Sequence, residues 1–181
     1  MRRTRRVVRA VAWRGLGICC AVVVVAAALA GCSVEIGQPQ VVSAKNAITV
    51  PVQVQHVAGG GVNVLVDVMI NGHGPFTFVV DTGAESSLVD KATAEQLQLR
   101  VDGSAHEIGG IGGSEVAVPV AITRWQMGKV RLPPMDVDSA SVQNLAGDGT
   151  VGLLGSDVLS QFGNITINYD LRTLTVYKQI A

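Results

Sequence analysis

A nine-residue alternating run, VNVLVDVMI at 62–70, is followed at once by Asn71-Gly72 and then, after His-Gly-Pro, by a second apolar run, FTFVV at 76–80. Asn-Gly pairs supply the positive φ that a tight turn needs, so the two runs read as a hairpin. The second strand ends on a carboxylate, Asp81, with Thr82, Gly83 and Ala84 behind it. An acid at the end of an apolar strand is costly unless it is paired or employed in chemistry. Similar patterns recur along the chain. ITVPVQVQ at 48–55 alternates like a half-buried strand, and HEIGGIGGSEVAVPVAI at 106–122 gives two strand-like arms around a glycine pivot. KVRLPPMDVDSA at 129–140 is a strand region broken by Pro133 and Pro134, and NITINYDLRTLTVYK at 164–178 is a hairpin turning about 170–172. Helix is expected in two short places. One is DKATAEQLQL from Asp90, with the aspartate as cap; the other lies within GLLGSDVLSQFG, where Ser156 or Asp157 caps a turn or two that Gly163 ends. Many short strands and two short helices imply a mainly β domain, a closed or partly closed barrel.

The front of the chain is of a different kind. Arg2, Arg3, Arg5, Arg6, Arg9 and Arg14 precede an apolar run at 16–30, and LAGC follows at 29–32. A spanning helix wants about 20 apolar residues and a signal core roughly 7 to 15, so the run is signal-sized. LAGC resembles the bacterial lipobox, in which cleavage precedes the cysteine and that cysteine carries lipid. The expected organisation is therefore a lipoprotein-type signal peptide at 1–31, a tether at 32–47 and one domain at 48–181. A plain secretory signal or an uncleaved anchor stays open, and each of the three puts the domain outside the cytoplasm. Removing the front leaves eight basic residues against fourteen acids, a net charge of −6, which argues against nucleic acid as a partner. Cys32 is the one cysteine left downstream of the signal, which excludes an internal disulfide, a cysteine metal cluster and a cysteine nucleophile.

Asp followed by Thr or Ser and Gly after an apolar strand suits an acid that works in pairs. Two carboxylates a few Å apart cannot both ionise, so they share a proton and can act together as base and acid. Gly83 would let the loop backbone approach its partner closely, and Thr82 offers a hydroxyl for locking loops together. Alone, the tripeptide is equally a strand-ending turn.

Three segments in order make the resemblance specific. VVDTGAESSLV at 79–89 resembles the active-site loop of the retropepsin-like (retroviral-type) aspartic proteases, IGGIGG at 108–113 their flap tip, and GLLGSDVLSQFG at 152–163 the apolar-apolar-Gly segment behind the catalytic loop. The resemblance implies a single retropepsin-like β-barrel domain with a flap hairpin and an aspartic endopeptidase activity that uses no cofactor and no metal. It implies Asp81 as the catalytic acid, with Thr82, Gly83 and Ala84 as the active-site loop. Glu85 stands where the viral enzymes usually carry an Asp that holds substrate backbone, and Gly110, Ile111 and Gly112 would fold over a bound peptide as an added strand. Leu153, Leu154 and Gly155 would support the loop. The terminal hairpin is closer to the closing hairpin of pepsin-like lobes than to the short viral C-terminal strand.

The sequence holds a single Asp-Thr-Gly. Asp138-Ser139-Ala140 lacks the glycine, and Asp148-Gly149-Thr150 has the order wrong. A second carboxylate must come from a second chain, so the resemblance implies a homodimer acting on peptide or protein substrates, held to a membrane by lipid on Cys32. The alternative is a peptide-binding or assembly lipoprotein that keeps the fold without catalysis; a structural lipoprotein that uses exposed β-edges is weaker. His56, His73 and His106 lack metal-ligand spacing, and Trp125 fits a groove or the core.

Overall fold

The structure is a computed structural model that describes residues 46–57, 59–110, 113–141 and 149–177. Residues 1–31 and the lipobox cysteine Cys32 lie outside the described residues, as does most of the expected tether. Fourteen strands and two short helices make up the described part, a mainly β domain as expected.

Strands β3 (Val62–Ile70) and β4 (His73–Val80) form the expected hairpin, and Asn71 and Gly72 both take positive φ, 50° and 88°. The Asn71 side chain then braces the turn, its Oδ1 accepting from Thr123 Oγ1 and Arg124 N, each at 3.1 Å. The alternation of β3 predicts one wet face, yet Val64, Leu65 and Val66 are all buried. The reason is lateral cover: Leu65 on the outer face is paired with Val79 of β4, and the two make a small cluster apart from the main core.

One long pairing path orders the strands β10 (Val130–Leu132), β9 (Trp125–Met127), β3, β4, β12 (Thr150–Leu154), β5 (Leu88–Asp90), β11 (Met135–Ala140), β8 (Gly113–Ile122) and β6 (Arg100–Val101). Off this path, β2 (Gln53–His56) pairs with β3, and β7 (His106–Gly110) pairs with β8 to make the flap arms. Two contacts are parallel, β4 with β12 and β5 with β11, and each needs a long crossover. Those crossovers bring distant parts of the chain behind Asp81.

A second, three-stranded sheet orders β1 (Ala47–Pro51), β14 (Thr173–Tyr177) and β13 (Ile165–Asn168). The single strand expected over 48–55 is in fact two strands. The chain changes sheets at Val52, whose N–H donates to Arg172 O at 3.0 Å while its neighbours pair with β14 on one side and β3 on the other. Both sheets cover one core that includes Val50, Val68, Ile70, Phe78, Ile122, Met127, Leu154 and Leu174. Burial of side chains of this size contributes on the order of 1.5–3 kcal/mol each before entropy is counted. Trp125 belongs to this core, 2% exposed, with Nε1 donating to Pro133 O at 2.6 Å.

Helix α1 (Lys91–Gln96) is too short to stand alone, so its cap and its packing must hold it. Asp90 Oδ2 accepts from Ala92 N and Thr93 N, and Ala94 is buried against the core. Helix α2 (Ser156–Leu159) continues as a 3-10 turn, Ser160–Phe162, that stops at Gly163 with φ 68°. Its N-cap is Gly155, with no side-chain cap, where Ser156 or Asp157 was expected. The Asp157 carboxylate instead reaches Ser87 in the Asp81 loop, while its Oδ1 also accepts from Val158 N at 2.8 Å.

Candidate active site

Asp81 follows β4 directly and is half-buried. Its backbone N donates to Leu154 O of the parallel neighbour β12 at 3.0 Å, so the ladder continues through the acid itself. The chain then turns: Gly83 N donates to Asp81 Oδ1 at 2.8 Å, and Ala84 N reaches back to Asp81 O at 3.4 Å. The Gly83 bond fixes the orientation of the carboxylate, and the Ala84 bond closes the turn beneath it. No other donor among the described residues reaches that side chain. Thr82 and Glu85 are exposed, and Ala84 is half-buried.

The loop is pinned from behind by the start of α2. Ser156 N donates to Ala84 O at 2.8 Å, and Asp157 N and Ser156 Oγ both donate to Glu85 O at 3.3 Å. Ser87, fully buried, completes the frame. Its N donates to Asp157 Oδ2 at 2.8 Å, its Oγ donates to Asp157 Oδ1 at 2.7 Å, and the same Oγ accepts from Gly155 N at 2.9 Å. The Ser87 hydroxyl, both Asp157 oxygens and the Gly155 N–H are all paired, as a buried network requires. Gly155 has no room for a side chain: a Cβ would lie 2.7 Å from the carbonyl carbon and oxygen of Ser86.

Leu153, Leu154 and Gly155 thus sit directly behind the Asp81 loop, Leu154 in the main core and Leu153 in a second cluster with Leu88, Ala117 and Ala140. Ala84 and Ile108 pack on that second cluster. Ile108 comes from β7, so one flap arm rests beside the loop. Gly110 ends β7; Ile111 and Gly112, the expected flap tip, lie outside the described residues. The Ser87–Asp157 pair escaped sequence reasoning because its members are 70 residues apart and neither carries a local pattern.

Alternation places Thr77, Val79 and Asp81 on one face of the sheet. Farther up that face, about 13 Å from the acid along the strand, Gln53, Gln55, Leu65, Thr77 and Thr150 line a polar recess of about 320 Å³. Among the described residues no group of three or more His, Cys, Asp or Glu side chains is placed to hold a metal ion.

No curated protein matches the sequence. Among solved structures, the chain is similar to a retropepsin-like aspartic protease from Rickettsia conorii, with 20% identity and a TM-score of 0.48 over 72% of this chain and 98% of that one. Known protein families give a match to Aspartyl protease over residues 66–158, just over half of the sequence and a span that holds β4, the Asp81 loop, both flap arms and the Leu153-Leu154-Gly155 support. The chain belongs to the aspartyl protease family.

Proposed function

We propose that the chain is an aspartic endopeptidase, tethered outside the cytoplasm by lipid on Cys32, whose working form is a homodimer with one Asp81 from each copy. The observation that carries the reading is that a member of this family holds a single Asp-Thr-Gly, set on a loop pinned from behind and open in front. Two such carboxylates at a twofold axis share one proton. The ionised oxygen takes a proton from water as the water oxygen bonds to the scissile carbonyl carbon, and the shared proton passes to the carbonyl oxygen. Collapse of that tetrahedral species breaks the C–N bond, and the leaving amine takes a proton from the dyad.

The remaining residues serve this step. Gly83 N orients the carboxylate through Oδ1, and Thr82 offers its hydroxyl to the loop of the other copy. Glu85 holds substrate backbone, and Gly110, Ile111 and Gly112 close over it as an added strand. Leu153, Leu154 and Gly155 keep the loop from retreating. Anchoring in a plane raises the effective concentration of partners, so a weak dimer is sufficient.

The test is to incubate the chain and its Asp81→Asn variant with a diverse peptide mixture across pH, reading products by mass spectrometry and the dimer fraction by sedimentation. Cuts that scale with the dimer fraction, and that fall at least about 100-fold in the variant, support the reading. A folded dimer that cuts nothing overturns it and leaves a peptide-binding module on the same fold.

A further inference from the structure

Among the described residues Asp138 is the one charged side chain in the buried class, 8% exposed. It lies mid-strand in β11, opposite Leu88 of β5 on one side and Pro119 of β8 on the other. Its backbone N donates to Ser87 O at 3.1 Å, so it is attached directly to the frame of the Asp81 loop. Alternation puts its side chain on the face of Ala140, a member of the cluster against which Ile108 packs. His106 stands two residues before Ile108 on the same face of β7, with Nε2 3.3 Å from Asp138 Oδ1. The carboxylate is therefore buried on the body of the domain, and the partner that offsets its burial is on the flap. The second flap arm is attached nearby, where Glu115 Oε1 accepts from Ser141 N at 3.0 Å.

We propose that His106 and Asp138 are a positioning pair that holds the base of the flap over the Asp81 loop. Neither touches reacting atoms. The apolar contact of Ile108 is non-directional and tolerates sliding; the polar contact fixes where along β11 the arm sits. A neutral imidazole donates from Nε2 in one of its two tautomers and a protonated one from both nitrogens, so the contact asks for a donor at that place. The consequence for catalysis rests on the peptidase reading; the attachment itself does not.

Backbone hydrogen exchange on the full chain tests the attachment, and peptide cleavage tests its consequence. In His106→Ala, amides of β7 and of the β8 flap arm should exchange about fivefold faster, the weight of one lost polar contact, while those of β13 and β14 are unchanged. KM should rise by a similar factor with kcat little altered. His106→Gln, which returns a donor at the same reach, should restore both. Asp138→Leu is the second variant, because an apolar residue in place of a buried charge preserves folding, and it should free the flap in the same way. The inference is overturned by unchanged flap exchange in both variants, by equal acceleration in β13 and β14, or by a KM that stays put while the flap loosens. Should the wild-type chain cut nothing, the peptidase reading falls, and the exchange comparison still decides the attachment.

Discussion

The Asp81 loop and the flap arms are both built around glycine, and they use it in opposite ways. Directly behind the loop, glycine is where the chain packs closest: Gly155 meets the Ser86 carbonyl, and a Cβ on Gly152 would overlap the ring of Phe78 and lie 2.6 Å from Leu88 O. In the flap, Gly109 and Gly113 have nothing within 4 Å of where a Cβ would stand. The bonding differs in the same sense. Residues 81–87 are tied to β12 and α2 by backbone bonds and by both oxygens of Asp157, whereas β7 runs beside β8 alone and meets the body of the domain through Ile108 and His106. One region is locked by proximity and the other is held at a few points, a difference that suits the proposed roles of a fixed carboxylate and a moving cover.

The sharpest way to break this comparison is to put a methyl group on each kind of glycine. Gly152→Ala should cost about 3 kcal/mol or more, because Phe78 is 1% exposed and neither it nor the Leu88 carbonyl can yield. Urea unfolding would measure it, and a loss below about 0.5 kcal/mol would mean that the crossing is looser than the contacts imply. Ser87→Ala comes next. It leaves Gly155 N without its acceptor and takes from Asp157 Oδ1 one of its two donors, the other being Val158 N, for an expected loss of about 1–3 kcal/mol. Removing the cap in Asp90→Ala acts one strand further on and should cost about 1 kcal/mol. Its effect should stay in α1, visible as faster exchange at Ala92 and Thr93.

Features that could be read from the sequence share one property: their signal is local. The Asn71-Gly72 turn, the Asp90 cap, the paired flap arms, the strand break at Pro133-Pro134 and the hairpin of β13 and β14 each lie within a few residues of what determines them. Asp81 is legible for the same reason, since an acid after an apolar strand is a contradiction visible on the spot. What escaped depends on the crossovers. The parallel pairing of β4 with β12 brings Asp157 to Ser87, and that of β5 with β11 brings Asp138 under the flap. Asp157 read as a helix cap and Asp138 as a failed Asp-Thr-Gly, because a side chain's local context says nothing of a partner that arrives from tens of residues away. The division of 48–55 between two sheets is hidden likewise, since an alternating run does not announce that its halves have different neighbours.

The smallest effect is the most telling for the flap. Gly109 is exposed in β7, opposite Ser114, and its backbone is in a region open to any residue. Gly109→Ala meets no atom in the folded chain, and alanine loses less backbone freedom on folding than glycine does. The global stability should therefore stay within about 0.5 kcal/mol of the parent, with any change on the stabilising side. The same substitution stiffens the β7 arm, so local exchange in β7 should slow while unfolding by urea is unmoved. A stability loss approaching that of Gly152→Ala would show that the flap arm is packed as tightly as the loop, and the contrast between the two regions would disappear.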